Sequence, residues 1–272
     1  MISIEKALKF PFKESNWMKT VGVYFLVLLT LATITFIVQL FFQLPAEILD
    51  SIAQESGETS LQVAALGANF AYLAVSLIIS IVTFPVTLYL SGYVFDTVRH
   101  LMNGKENAIT AHGNYLFRIK IGLVRMLVSI ILGFLSLFTL VIPTIVIIAG
   151  ALTMETSAIL AFILLAFGFL LSISWLVFTI LGVKLVQYAM EYIYLKSGFK
   201  YIFNLNRIFR LIKTNFKSLI MLLAVEVLTG MINAFAFILF CLVFFVQPAV
   251  STALTFSLAY YYGETFRGIK EA

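Results

Sequence analysis

The sequence predicts an all-α integral membrane protein with six transmembrane helices in three hairpins and amphipathic interfacial helices at the cytoplasmic face. The first observation is composition: 62% of the 272 residues are hydrophobic and 11% are charged, whereas about 25% are charged in a typical soluble domain. The second is that charge-free apolar runs exceed the roughly 20 residues that cross a bilayer. Backbone groups must be paired inside lipid and alternating strand patterns are absent, so these runs indicate helices.

The first third of the chain is predicted to be a short interfacial helix followed by a hairpin of two spans. Pro11 is expected to stop the first helix, Pro45 to end the first span and Pro85 to kink the second, because proline removes a backbone donor. The loop between the spans is acidic and has no basic residue. The predicted interfacial helix, first span, acidic loop and charge-free second segment cover residues 1–19, 20–42, 47–62 and 59–95.

The rest of the chain is predicted to form a basic connector and two further hairpins. Pro143 lies inside the third span, and the helical pattern of the fourth continues past Lys184. The last apolar block is about twice as long as one span, which predicts a turn near Val246-Gln247-Pro248. The predicted basic connector, third span, fourth helix, interfacial helix and final double span cover residues 105–125, 126–149, 157–196, 198–217 and 218–262.

The placement of the basic residues is the third observation. All 18 Lys and Arg residues precede the first span, follow the sixth, or lie in the second and fourth connections. The positive-inside rule therefore predicts a multi-pass protein of the cell membrane with both termini in the cytoplasm. Anionic lipid headgroups on that face are the expected partners and account for the net positive charge without nucleic acid. The headgroup contacts expected from the interfacial helix are Lys200, Arg207, Arg210 and Lys213.

A recurring spacing of aromatic, acidic and basic residues suggests an internal repeat. It divides the single polytopic domain, residues 1–272, into units 1–104, 105–198 and 199–272. Aromatic belts and inward basic residues produce a similar rhythm in any even-numbered bundle, so both explanations stay open. In two of the three sets, an acid and an arginine three residues apart are expected to pair along one helix surface, as an interfacial brace or as a cytoplasmic gate. The sets are Tyr93, Asp96 and Arg99; Tyr188, Glu191 and Tyr194 with Lys196 behind; and Tyr261, Glu264 and Arg267.

Four short motifs lie at the predicted membrane interfaces: Phe10-Pro11-Phe12 with Trp17; Gly92-Tyr93 with Arg99 and Gly104; Arg207-Ile208 with Leu211-Ile212 and Asn215; and Gly263 with Phe266-Arg267. Together they resemble the prokaryotic membrane family called domain of unknown function 4013, over nearly the whole chain. That family occurs largely in archaea and bacteria and has no established activity, so the resemblance implies class and topology but no mechanism. The family tends to carry Pro and Trp in the loop after Gly-Tyr, where this chain has His112-Gly113-Asn114-Tyr115.

Glu226 is the acidic residue that lies deep in a predicted span. A carboxylate inside hydrocarbon is costly and is by default a functional candidate. On a helix it shares one face with Thr229, Asn233 and Phe237, so a polar stripe is expected to point into the bundle. Two interpretations stay open: a proton-linked or polar-substrate site, or a hydrogen-bonding residue that holds helices together.

The other candidate chemistry is weak. The chain has no nucleophile elbow, phosphate loop, zinc-protease helix or dinucleotide fingerprint, so no enzyme activity and no cofactor are expected. His100 and His112, with Asp96, are too few and too loosely spaced for a metal signature, and both histidines are expected on a solvated loop. The single cysteine, Cys241, is expected to be apolar filler.

The leading hypothesis is a non-enzymatic membrane protein that contacts or organises lipid, or a subunit of a larger assembly, which includes a homo-oligomer. The alternative is a small-molecule or lipid transporter built around the Glu226 stripe. A transporter predicts a water-accessible cavity that reaches Glu226, whereas a scaffold predicts that Glu226 is packed dry. A lipid-acting enzyme is a third hypothesis, which we expect to fail because it requires one site that contains Asp96, His100, Glu191 and Glu264.

Overall fold

The structure, a computed structural model, describes residues 4–13, 17–105, 108–240 and 246–270, without the side chains of 237–240. Within these ranges the chain is helical and has no strand. Short 3₁₀ turns at Phe10–Phe12 and Phe199–Tyr201 and π-helical turns at Gln39–Gln43 and Phe178–Val183 join some of the helices. The α-helices are α1 Ile4–Lys9, α2 Trp17–Val38, α3 Leu44–Ser56, α4 Thr59–Met102, α5 Tyr115–Leu152, α6 Ala158–Val177, α7 Lys184–Ser197, α8 Leu205–Phe240 and α9 Val246–Arg267.

Several helices are built to face lipid. Large apolar side chains such as Phe70 and Phe162 are each 74% exposed on their outer surfaces, which is unfavourable in water and ordinary in hydrocarbon. Among the described residues, five continuous helices are long and apolar enough to cross a membrane: Trp17–Ser56, Thr59–Met102, Tyr115–Leu152, Ala158–Ser197 and Leu205–Ala236. The protein is therefore a membrane protein whose described part is built from helices.

Pro45 does not end the first long helix, contrary to the sequence-based expectation. The chain makes a π-helical turn at Gln39–Gln43 and continues as α3 to Ser56, with Pro45 in the first turn of α3. Proline has no backbone N–H to donate. It is tolerated at this position because the wider π turn before it already departs from the α-helical hydrogen-bond pattern. The predicted acidic loop is consequently mostly helix. The reversal is made by Gly57, whose φ of 66° suits glycine, and by Glu58.

Two predicted connectors are also shorter than expected. The basic connector ends at Asn114, because α5 already begins at Tyr115. The predicted interfacial helix is the first part of α8, and Asn215 separates it from the apolar part by leaving helical geometry (φ −118°, ψ 22°). The Asn215 amide donates to the carbonyls of Leu211 and Lys270 and accepts from the Lys270 N–H. A side chain, rather than a turn of the chain, therefore makes this bend.

The last helix is the centre of the bundle. α9 packs against α1, α2, α4 and α8, and Phe256 on α9 makes edge-to-face contacts with Tyr24 of α2 and Tyr93 of α4. Surrounded by protein instead of lipid, α9 tolerates more polar residues than the outer helices. Val246, Gln247 and Pro248 form the first turn of α9, and residues 241–245, next to the predicted reversal, lie outside the described ranges.

Two glycines set the closest helix crossing. A methyl group on Gly92 of α4 would collide with the carbonyl oxygen of Arg118, and one on Gly122 of α5 would collide with the carbonyl oxygen of Leu88. The two backbones are therefore in direct contact, as small residues permit between membrane helices. This contact brings the start of α5 against the last turns of α4.

Candidate functional site

A cavity of about 290 Å³ lies between α4, α5, α8 and α9. The predicted stripe Glu226, Thr229 and Asn233 lines it on one side, and the Phe237 side chain lies outside the described residues. The opposite wall is polar at Arg125, Ser251, Thr255 and Tyr262 and otherwise apolar. The apolar wall residues are Val94, Phe95 and Val98 of α4 and Leu254, Leu258 and Ala259 of α9.

The Glu226 carboxylate is hydrogen-bonded by three side chains from neighbouring helices. The Lys184 ammonium lies 2.6 Å from Oε1, and the hydroxyls of Tyr188 and Tyr262 donate to Oε2 at 2.6 and 2.7 Å. An unpaired carboxylate in hydrocarbon is strongly unfavourable, whereas a paired and hydrogen-bonded one is tolerated. These four residues, the Glu226 cluster, therefore connect α7, α8 and α9.

The sequence contained one signal for the partner of Glu226. Lys184 is the first of two cations in the long predicted fourth helix, and it follows the π-helical turn Phe178–Val183 directly. The Lys184 and Glu226 side chains are 37% and 25% exposed. The pair is therefore partly accessible, and a molecule in the cavity can compete for its atoms.

A second ion pair lies beside the cavity. Arg125 Nε donates to Glu191 Oε1 at 3.3 Å, and the Gln187 amide donates to the same oxygen at 2.9 Å. The Arg125 guanidinium also stacks over the Phe95 ring at 4.9 Å. Since Arg125 and Glu226 both line the cavity, its wall carries charges of both signs.

Two buried side-chain oxygens in the described part of the chain have no hydrogen-bond partner: Asn233 Oδ1 and Glu191 Oε2. An unsatisfied buried acceptor costs about 1–3 kcal/mol. Asn233 lines the cavity, so once its buried amide turns toward that space, a water or a ligand hydroxyl or amine there would remove the penalty. The cavity is therefore able to accept a hydrogen-bond donor.

A second polar cluster lies where α4 and α5 cross. Arg118 is 2% exposed; its Nε donates to Asp96 Oδ2 at 3.4 Å, its Nη1 to the Tyr89 hydroxyl and its Nη2 to Thr110 Oγ1. Its guanidinium lies 4.5 Å from the centre of the Tyr93 ring. We call Arg118, Asp96, Tyr89, Tyr93, Thr110 and His112 the Arg118 cluster.

His112 belongs to this cluster, so its expected place on a solvated loop is wrong. Its Nε2 lies 2.9 Å from the carbonyl oxygen of Thr20 and must donate, because a carbonyl only accepts. Its Nδ1 accepts from the Tyr89 hydroxyl, whose oxygen already accepts from Arg118. The His112 ring also stacks on Tyr93 at 4.6 Å. His112 thus connects the segment before α5 to α2 and α4.

The expected helix-surface pairs have different outcomes. Asp96 pairs with Arg118 of α5 and not with Arg99, which lies over the Phe117 ring at 5.5 Å. The guanidinium that pairs with Asp96 comes from α5, because the contact at Gly92 and Gly122 brings the start of α5 against Asp96. Glu264 and Arg267 do pair along α9, at 3.7 Å, with the Arg267 side chain exposed and the Glu264 side chain half-buried. Tyr93 and Tyr261 are both buried.

The four residues required for a lipid-acting enzyme site do not meet. His100 lies 3.9 Å from Asp96 and its other ring nitrogen faces the Ala108 carbonyl, so it too is held by the structure and not solvated. Glu191 instead pairs with Arg125, and Glu264 pairs with Arg267. In the described ranges, no group of three or more His, Cys, Asp or Glu residues is placed to hold a metal ion.

The expected headgroup contacts lie on the outer face of the first part of α8 and the turn before it. Lys200, Arg210 and Lys213 are exposed, and Arg207 is half-buried with its Nη1 donating to Ser197 Oγ at 2.9 Å. The opposite face is apolar and buried. Its buried residues are Ile202, Ile208 and Leu211.

Comparison with known protein families, with curated proteins and with solved structures finds no match for this chain. The resemblance to the domain of unknown function 4013 family therefore stays a prediction, as does the internal repeat. Function has to be inferred from the geometry of the cavity and its charges.

Proposed function

We propose that this chain is a multi-pass transporter that binds a small polar molecule in the cavity beside Glu226. The cavity is the observation that carries the proposal. A transporter predicts a cavity that reaches Glu226, whereas a scaffold predicts that Glu226 is packed dry. Its volume of about 290 Å³ is near the lower end of the roughly 300–1,000 Å³ typical of small-molecule sites. The substrate is therefore small.

The wall chemistry supports a zwitterionic or hydroxyl-bearing substrate. The residues that line the cavity include a cation, Arg125, an anion, Glu226, and Asn233, whose buried amide oxygen has no hydrogen-bond partner. Each charge is already paired within the protein, so a substrate carboxylate or amine exchanges one partner for another instead of paying for desolvation of a lone charge.

Helix irregularities next to the site support movement. The π-helical turn Phe178–Val183 directly precedes Lys184, and π turns occur frequently at functional sites. A small change at this turn would shift Lys184 relative to Glu226 and open or close that side of the cavity. Pro85 of α4 and Pro143 of α5 are further interruptions of helical pairing.

We propose six spans in three hairpins in the cell membrane, with both termini in the cytoplasm. α9 has 22 residues, about 33 Å of helix, which is enough to cross a bilayer. Basic residues from distant segments also meet at one end of the bundle: Arg99, Lys196 and Arg267 line one cleft, and Lys120 lines the next. The positive-inside rule assigns that end to the cytoplasm.

The test is a cysteine-accessibility experiment in a Cys241→Ala background. Single cysteines at Thr229 and Asn233 lie in the cavity, and one at Ile232 on the exposed side of the same helix is the matched control. A membrane-impermeant thiol reagent is applied to each side of the membrane in turn. We expect labelling at 229 and 233 from at least one side and none at 232.

Absence of labelling at both cavity positions would mean a dry helix interface and would end the transporter proposal. Equal labelling at 232 would mean that the whole helix is exposed to water, which contradicts a cavity within a membrane-embedded bundle.

A lipid-contacting, non-enzymatic role, alone or as a membrane subunit, is the second candidate. Exposed Lys200, Arg210 and Lys213 lie near the exposed rings of Phe203 and Phe209, a combination suited to anionic headgroups. Replacing the three cations by glutamine should reduce co-purified anionic lipid, measured by native mass spectrometry. If co-purified lipid does not change, this candidate loses its support.

A further inference from the structure

A second and larger cavity, about 510 Å³, lies where α1 and the ends of α4 and α9 meet. Among the described residues, five cationic side chains and a single carboxylate, Glu264, line it. Its position is apart from the Glu226 cavity, with which it shares no lining residue. The cations are Lys6, Lys9, Lys13, Lys105 and Arg267. We call this space the basic cleft.

Apolar packing fixes the walls of the basic cleft. The Phe10 and Tyr260 rings are 5.0 Å apart and attach the N-terminal segment to α9, and Phe10 is buried. Gly104, with φ 71°, turns the chain at the end of α4 directly beside the Arg267 guanidinium. The cations therefore converge from three chain segments that are held together independently of any ligand.

Among the residues that the structure describes, the charges in the basic cleft are poorly balanced. Lys9 pairs with Glu5, but both side chains are 74% exposed, so that pair contributes little. Arg267 and Glu264 are 3.7 Å apart. In the described part of the chain, the side chains of Lys13 and Lys105 have no ion-pair partner. A multiply charged anion would relieve the repulsion between the cations and gain charge-assisted hydrogen bonds from several of them.

We propose that the basic cleft binds a phosphomonoester. A phosphomonoester carries about −1.5 to −2 charges at neutral pH and offers three acceptor oxygens, which suits several convergent donors better than a singly charged diester does. Lys13, Lys105 and Arg267 hold the phosphate, Glu264 accepts from a hydroxyl of the attached group, and Leu101 packs against its carbon atoms. The ester is either a lipid headgroup or a soluble molecule.

The experiment uses the purified full chain in a non-ionic detergent and two probes, dihexanoyl phosphatidic acid and glycerol 3-phosphate, with binding measured by isothermal titration calorimetry. The test variant is Lys13→Gln with Lys105→Gln. The matched control is Lys120→Gln with Lys217→Gln, which removes the same charge from two exposed residues outside the cleft. We expect binding to weaken roughly tenfold or more in the test variant and less than about twofold in the control.

The two probes identify the source of the ester. Equal affinity for both indicates a soluble phosphomonoester, and binding of the lipid alone indicates a headgroup; either result supports the site. Failure of both probes to bind, or equal losses in the test and control variants, overturns it. The charge-retaining variant Lys13→Arg with Lys105→Arg should keep binding, and if it loses binding although its unfolding midpoint is unchanged, the proposed electrostatic role is wrong. Because the probes report on this cleft alone, labelling at Thr229 is unaffected by the outcome.

Discussion

The Arg118 cluster and the Glu226 cluster use the same residue types in different surroundings. Each joins one cation to one carboxylate from another helix, and in each two tyrosines contact the ion pair. Arg118 is 2% exposed and donates to four separate acceptors. Glu226 is partly exposed and borders a cavity that is also lined by Asn233, whose buried Oδ1 has no partner.

This difference indicates which cluster is structural. A buried ion pair in which four of the five arginine N–H donors are used has little to offer a ligand, and it holds one arrangement of α2, α4 and α5. An ion pair beside a cavity exchanges partners at lower cost, because a ligand replaces the lost contacts. Substitutions should therefore affect stability most at the first cluster and ligand access most at the second.

The largest effect is expected for Arg118→Met. It leaves Asp96 buried without its cation and removes the donors to Tyr89 and Thr110, so we expect a loss of about 3–5 kcal/mol in the free energy of unfolding. The measurement is the thermal unfolding midpoint in detergent. Arg99→Met, which removes an arginine that stacks on Phe117, is the control and should have a much smaller effect. Equal midpoints for the two variants would contradict the structural role of the cluster.

Gly92→Ala should disrupt the Arg118 cluster by forcing the α4 and α5 backbones apart. The added methyl group meets the Arg118 carbonyl oxygen, so α4 and α5 must separate, at a cost of about 1–3 kcal/mol. Gly133→Ala on α5 is the matched control, because nothing lies within 4 Å of a methyl group there. That change should be neutral or stabilise by up to about 1 kcal/mol. The unfolding midpoints of the two variants test the crossing, and similar values would exclude a tight contact.

Glu226→Gln and Lys184→Met measure the coupling within the Glu226 cluster. Either single change leaves a charge without its partner, while the double variant leaves none, so the double variant should lose less than the sum of the single changes. We expect a coupling free energy of about 1–2 kcal/mol in a double-mutant cycle of unfolding free energies. Simple additivity would mean that solvent already screens the pair.

The smallest effect on stability is expected for Asn233→Leu. The change removes an acceptor oxygen that has no partner, so the unfolding midpoint should stay the same or rise slightly, by up to about 1 kcal/mol in free energy. Labelling of Thr229→Cys should nevertheless fall, because the leucine fills the cavity. Asn215→Leu is the contrasting control, since the Asn215 amide makes three hydrogen bonds. If Asn233→Leu destabilises as much as this control, its oxygen has a structural partner.

The sequence predicted the membrane class, the helices and the inward direction of the Glu226 stripe, because each of these follows from composition and helical period within a few turns. It predicted the ends of the helices less well. Pro45 lies within a longer helix because a π turn precedes it, and Asn215 bends α8 through a bond to Lys270, 55 residues away. Local pattern contains no information about such distant partners.

By itself, the sequence determined that hydrocarbon is the solvent for most of this chain and that one carboxylate lies among its apolar residues. Only the tertiary structure decided that Lys184, 42 residues earlier, neutralises Glu226, and that Asp96 pairs with Arg118 and not with the nearer Arg99. The physical reason is that insertion of a segment into hydrocarbon depends on the average polarity of that segment, which can be calculated from the sequence. Pairing and cavities depend on how closely particular helices approach, and here the contact between Gly92 and α5 and the central position of α9 determine that.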